Sequence, residues 1–94
     1  MTRDELLTKL RDLKPWLEEQ GIVNVRLFGS YARDEAGPDS DVDLIVELSK
    51  PLGFRFFGVE RELGEHLGLH VEMGTEDSMH RLLKRSATQE ALLV

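Results

Sequence analysis

LFGSYARDEAGPDSDVDLIVE, residues 27–47, decides how this chain is read. Its first two residues close a strand that begins at Ile22. There Val23, Val25 and Leu27 alternate with Asn24 and Arg26 and so share one face. Gly29-Ser30 ends that strand, a short helical segment is expected over Tyr31 to Glu35, and Gly37-Pro38-Asp39 has turn composition. Val42 to Leu48 then reads as a second strand. Its apolar run Leu44-Ile45-Val46 suits a strand buried on both faces.

The flanks supply helices. Leu6, Leu10, Leu13 and Leu17 form an amphipathic stripe in a helix over residues 2 to 20, with Thr2 and Glu5 as a capping box and Gly21 as its stop. Pro15 removes one helical hydrogen bond, so that helix either kinks or restarts there. Pro51 and Gly53 open a further helix ending near Gly68, on which Leu52, Phe56, Val59, Leu63 and Leu67 make one core stripe. Phe54 and Phe57 fall roughly 100 to 160° away from Phe56. They either form an exposed aromatic patch for a partner or, if the helix starts late, fold into the core. Leu69 to Met73 reads as a third strand, and residues 76 to about 87 as a last helix with Thr75 as N-cap. The tail Ala91-Leu92-Leu93-Val94 is apolar and should pack down. The expected class is α/β (α+β): a small mixed sheet flanked by helices, one domain over residues 1–94.

Composition narrows the function. The 94 residues hold 18 acids, 12 bases and no cysteine. Disulfides and cysteine-based zinc sites are excluded, and a reducing, cytoplasmic setting is expected. No apolar run approaches the ~18 residues of a membrane span. A net charge of -6 argues against direct nucleic-acid binding, which needs a basic face. The charge is also local. Asp34, Glu35, Asp39, Asp41, Asp43 and Glu47 fall within one stretch that holds no base, and the rest of the chain is balanced.

That stretch carries chemistry. Residues at i and i+2 of a strand point to one face, so Asp41 and Asp43 aim their carboxylates together, with Cα atoms about 6.5 to 7 Å apart. Two like charges side by side repel unless offset, and a divalent cation offsets them. Gly29-Ser30 lies ten residues earlier. Glycine permits close backbone approach, serine adds a hydroxyl, and the N-terminus of a helix over residues 31–35 would seat phosphate. A calcium loop starting at Asp39 is excluded, because Leu44 and Lys50 stand where glycine and glutamate are required.

These residues resemble the signature of the DNA polymerase β-like nucleotidyltransferase superfamily, Gly-Ser, ten residues, then Asp-x-Asp. The form of Gly29 to Glu47 is closest to its minimal nucleotidyltransferase branch. The resemblance implies a polymerase β palm-like fold and transfer of a nucleoside monophosphate, AMP from ATP, to a hydroxyl. It implies Mg²⁺, two ions, held by Asp41, Asp43 and a third carboxylate on a later strand. Glu72 matches that position, where the family usually has the shorter aspartate, as metal ligand or general base. Gly29 and Ser30 match the phosphate-binding dipeptide. Arg33 matches the family arginine that neutralises phosphate; it could equally pair with Asp34 or Glu35. Asp34 stands where the family often has glycine. The partner implied is a HEPN-domain toxin, adenylylated on a tyrosine by this protein as antitoxin. The alternatives are a non-catalytic module that neutralises its partner by contact, or transfer to a small molecule. Oligomerisation stays open.

Other patterns carry less. Gly68 separates His66 from His70, so the two do not make a helical zinc pair. Arg81, Lys84 and Arg85 fall at helical spacing, either as a solvated face or as a contact for an acidic partner.

Overall fold

The computed structural model describes residues 1–37, 39–75 and 92–94. The elements are α1 (Arg3–Glu19), β1 (Ile22–Phe28), β2 (Val42–Leu48), α2 (Arg55–Leu67), β3 (Val71–Thr75) and β4 (Leu92–Leu93). The expected helix over residues 76–87, with Arg81, Lys84 and Arg85, lies outside the described residues. Thr75, its expected cap, is the last residue of β3.

The sheet order is β3-β2-β1-β4. β1 is antiparallel to both β2 and β4, and β2 is parallel to β3, with α2 as the crossover. This is the mixed α+β sheet expected from the sequence. The apolar tail packs down by adding a strand: Leu92 and Leu93 pair with β1, and the Val94 N–H donates to the Val25 carbonyl at 2.9 Å.

Alternation along β2 divides the sheet. Val42, Leu44 and Val46 are fully buried in one cluster with Val25, Leu27, Val71 and Met73. The same cluster takes Leu6, Leu10 and Leu17 from α1 and Val59, Leu63 and Leu67 from α2. Both described helices therefore cover one face, and Asp43 and Ile45 point to the other.

Three local readings change. The Thr2–Glu5 capping box forms, but α1 runs through Pro15 as one helix. Buried Leu10 and Leu17 anchor it on both sides of the missing hydrogen bond, so packing outweighs the proline's local cost. In β1 the inward face is Ile22, Val25 and Leu27 rather than Val23, Val25 and Leu27. One extra residue bulges between Val23 and Arg26, where Asn24 takes φ 48° and donates its amide to Glu47 at 2.6 Å. The bulge flips the strand's alternation. Third, β3 starts two residues later than expected. Gly68 closes α2 at φ 68°, a left-handed conformation that suits glycine, and the Leu69 N–H returns to the Gly64 carbonyl at 3.1 Å. Leu69 and His70 thus belong to the helix exit.

α2 itself starts late, at Arg55, but the two rings do not fold inward. Phe54 is 92% exposed and Phe57 63%, while Phe56 packs against the core with Phe57 edge-on to it.

Candidate active site

Asp43 is the centre of the site. In register it lies between Phe28 of β1 and Glu72 of β3, on the face of the sheet away from the helices. Asp41 immediately precedes β2, and His70 immediately precedes β3. The parallel register Val42↔Val71, closed by the Val42 N–H to the His70 carbonyl at 2.9 Å, sets Asp41 beside His70 and Asp43 beside Glu72. Asp41 Oδ1 lies 3.2 Å from His70 Nδ1. One donor atom each from Asp41, His70 and Glu72 fall within 4.8 Å of one another.

The electrostatics follow from this crowding. Asp43 is half-buried, and its pKa is raised to about 6. Burial is the main cause, followed by the charges of Glu72 and Asp41; Arg33 and His70 pull weakly the other way. The carboxylates thus converge as the sequence implies.

Gly29 closes the site from the other side. It turns the chain out of β1 at φ 79°, and a Cβ there would sit 2.6 Å from Asp43 Oδ2. Glycine is required twice, for the backbone conformation and for the space beside the carboxylate. The segment after it is not the expected helix. Its N–H bonds run to the fourth, third and fifth preceding carbonyls: Arg33 to Gly29, Asp34 to Tyr31, and Glu35 to Ser30. Asp34 has φ 58°, which breaks helical continuation. The helix N-terminus expected after Gly29-Ser30 is absent, and a tight turn carries these two residues next to Asp43. Tyr31 and Ala32 anchor that turn in the core. Arg33 pairs with Glu35 at 3.0 Å and still acts on Asp43. The pairing with Glu35 is the ion pair that the sequence offered.

His70 is the residue that sequence reasoning missed. It was weighed only against His66, and the two indeed separate: the His66 ring packs edge-on to Trp16 at 5.1 Å between centroids. The missed signal was register, since His70 precedes Glu72 by the same two residues as Asp41 precedes Asp43.

The donor set fits a divalent cation. Carboxylates from adjacent strands and an imidazole meet at an exposed edge of the sheet, and burial with the charges of Glu72 and Asp41 keeps the pKa of the half-buried Asp43 up. Among the described residues no helix is long and apolar enough to cross a membrane.

Comparisons with known proteins agree with this geometry. The model of the nucleotidyltransferase domain family matches residues 3–94. The chain is 32% identical to the protein adenylyltransferase MntA of Thermococcus cleftensis, over 100% of this chain and 97% of that protein. A solved structure, provisionally assigned as a minimal nucleotidyltransferase, superposes with a TM-score of 0.81 at 30% identity. It covers 100% of this chain and 97% of that one. A toxin–antitoxin structure with AMP-PNP shares the fold at a TM-score of 0.68 and 20% identity, over 99% of this chain and 72% of that chain. With Gly29 packed on Asp43, and Asp43 paired in register with Glu72, the chain belongs to the nucleotidyltransferase domain family, in its minimal nucleotidyltransferase branch.

Proposed function

We propose that residues 1–94 form one minimal nucleotidyltransferase domain that transfers AMP from ATP to a hydroxyl of a partner protein. The partner class we infer is a HEPN-domain toxin, which this chain would neutralise by adenylylation. The observation that carries the reading is the contact of Gly29 with Asp43. It supports the reading because it brings the Gly29-Ser30 turn, the proposed phosphate seat, close to the Asp43 carboxylate. The MntA relative is itself named a protein adenylyltransferase, and a structure of the same fold is a toxin–antitoxin complex with AMP-PNP.

In this mechanism Gly29 and Ser30 seat the phosphates of the nucleotide, and Arg33 lowers the negative charge there. Asp41, Asp43 and Glu72 would hold the Mg²⁺ ions, two in number in such sites, which would supply charge neutralisation and a more acidic acceptor hydroxyl. Glu72, exposed and one methylene longer than aspartate, is placed to accept the proton of that hydroxyl. Asp41 and Glu72 are exposed, where an incoming partner can reach them. An ATP donor suits the cytoplasmic setting expected from the sequence.

The test is co-expression with a HEPN-domain toxin, followed by mass spectrometry of the toxin. One or more added AMP units are expected with wild type, and none with Asp41→Asn/Asp43→Asn. A bound but unmodified toxin would instead identify an antitoxin that works by contact alone.

A further inference from the structure

The mechanism above leaves His70 unused. Its ring nitrogen faces Asp41 Oδ1 at 3.2 Å, yet both side chains are open to solvent, 69% and 47% exposed. An exposed ion pair of this kind stabilises a fold little. Folding therefore gives no reason for an imidazole at this position. The backbone does fix it there, through the Val42 N–H to the His70 carbonyl. The third member of the group is Glu72, and the three donor atoms lie within 4.8 Å of one another. Donors bound at about 2.0 to 2.2 Å to one ion lie no more than about 4.4 Å apart. Two donors at right angles on one ion lie about 3 Å apart, so side-chain rotation must draw the three together before they share an ion.

We propose that His70 is a ligand of the ion held by Asp41 and Glu72, and that its nitrogen makes this position favour a first-row transition dication over Mg²⁺. The inference rests on the reading of Asp41 and Glu72 as metal ligands. Its chemistry is that of donor preference. Mg²⁺ selects oxygen and keeps its waters, whereas imidazole suits iron, nickel and zinc and raises their affinity over an all-oxygen set.

The experiment uses tag-free, nucleotide-free protein and the metals alone. Co²⁺ binding is followed by its visible absorption and by calorimetry, and Mg²⁺ binding by calorimetry. His70→Ala is expected to weaken Co²⁺ binding about tenfold or more, to change Mg²⁺ binding less than about threefold, and to alter the Co²⁺ spectrum. His70→Asn, which keeps a polar side chain, should behave as His70→Ala does. His66→Ala should leave both ions unaffected. Equal loss of Co²⁺ and Mg²⁺ in the His70 variants, no loss of either, or loss on His66→Ala would overturn the assignment. If wild type binds neither ion, the metal reading of Asp41 and Glu72 falls as well. If it binds both and is indifferent to His70, only this inference falls.

Discussion

Replacing Asp43 by asparagine should stabilise the metal-free protein, and only above a defined pH. The raised pKa of Asp43, about 6 against an ordinary 3.8, means that the folded state holds its proton more tightly than the unfolded state does. Between those two values the native protein binds more protons, so its stability falls as pH rises. The stabilisation is fully present below pH ~4 and is lost as pH passes ~6. At about 1.4 kcal/mol per pH unit, the gap caps the effect at about 3 kcal/mol. The side chain is only half-buried, so solvent screening reduces this to about 1 to 2 kcal/mol. Asparagine carries no charge to suppress and escapes the loss. Urea denaturation of both proteins in EDTA, from pH 4.5 to 7.5, checks this. The variant should gain about 1 to 2 kcal/mol on wild type across that range, or roughly 4 to 16 °C in Tm for a domain of this size. Taking the difference between the two proteins cancels other titrations. Glu5, whose pKa the Thr2 capping bonds lower, has the opposite sign, losing its contribution as pH falls. Mg²⁺ should then restore wild type at pH 7.5, by about 2.7 kcal/mol at a hundred times the dissociation constant, and restore the variant less. A stability difference that stays flat within about 0.3 kcal/mol from pH 4.5 to 7.5 would refute the idea that burial and the Glu72 and Asp41 charges oppose ionisation here.

Three further substitutions probe the frame around the site. Gly29→Ala must adopt a left-handed backbone, costing about 1 to 2 kcal/mol, and must push Asp43 aside; urea unfolding should show that loss, and calorimetry a weakened divalent-ion affinity. Asp34→Gly should gain about 0.5 to 1 kcal/mol by relieving φ 58°, partly offset by losing the Arg3 N–H bond to Asp34, as read by thermal unfolding. Thr2→Ala removes the capping box of α1 and should cost about 1 kcal/mol with AMP transfer unchanged.

Periodicity located the strands and helices wherever one residue's position fixed the next. β1 and β2 begin and end as their apolar alternation implies. Reading failed where a single backbone torsion decided the outcome. The bulge at Asn24 exchanges Ile22 for Val23 in the core, and no apolar pattern encodes it, since both residues are equally suited to a strand. Residues 31–35 contain no helix breaker, yet Asp34 at φ 58° ends the turn. The hint lay in the family's glycine at that position. The site divides in the same way. Asp41 and Asp43 were legible because two-residue spacing on a strand is a local property. His70 was not, because its neighbour Asp41 lies 29 positions away, and only the parallel register of β2 and β3 brings the two together.

The acidic stretch shows what register adds to a count of charges. The sequence places six acids between residues 34 and 47 and picks out Asp41 and Asp43 by spacing, without separating these two. In the fold, Asp34 accepts the Arg3 N–H, Glu35 pairs with Arg33, Glu47 accepts the Asn24 amide, and Asp41 faces His70. Each of these is exposed, where water already screens its charge. Asp43 differs because the sheet removes it from water while Glu72 and Asp41 add charge of the same sign. A protein under selection for stability alone would place a neutral residue there. An acid kept where the fold resists its ionisation suits the proposed cation beside it, and the close approach of Gly29 to Asp43 suits the proposed phosphate.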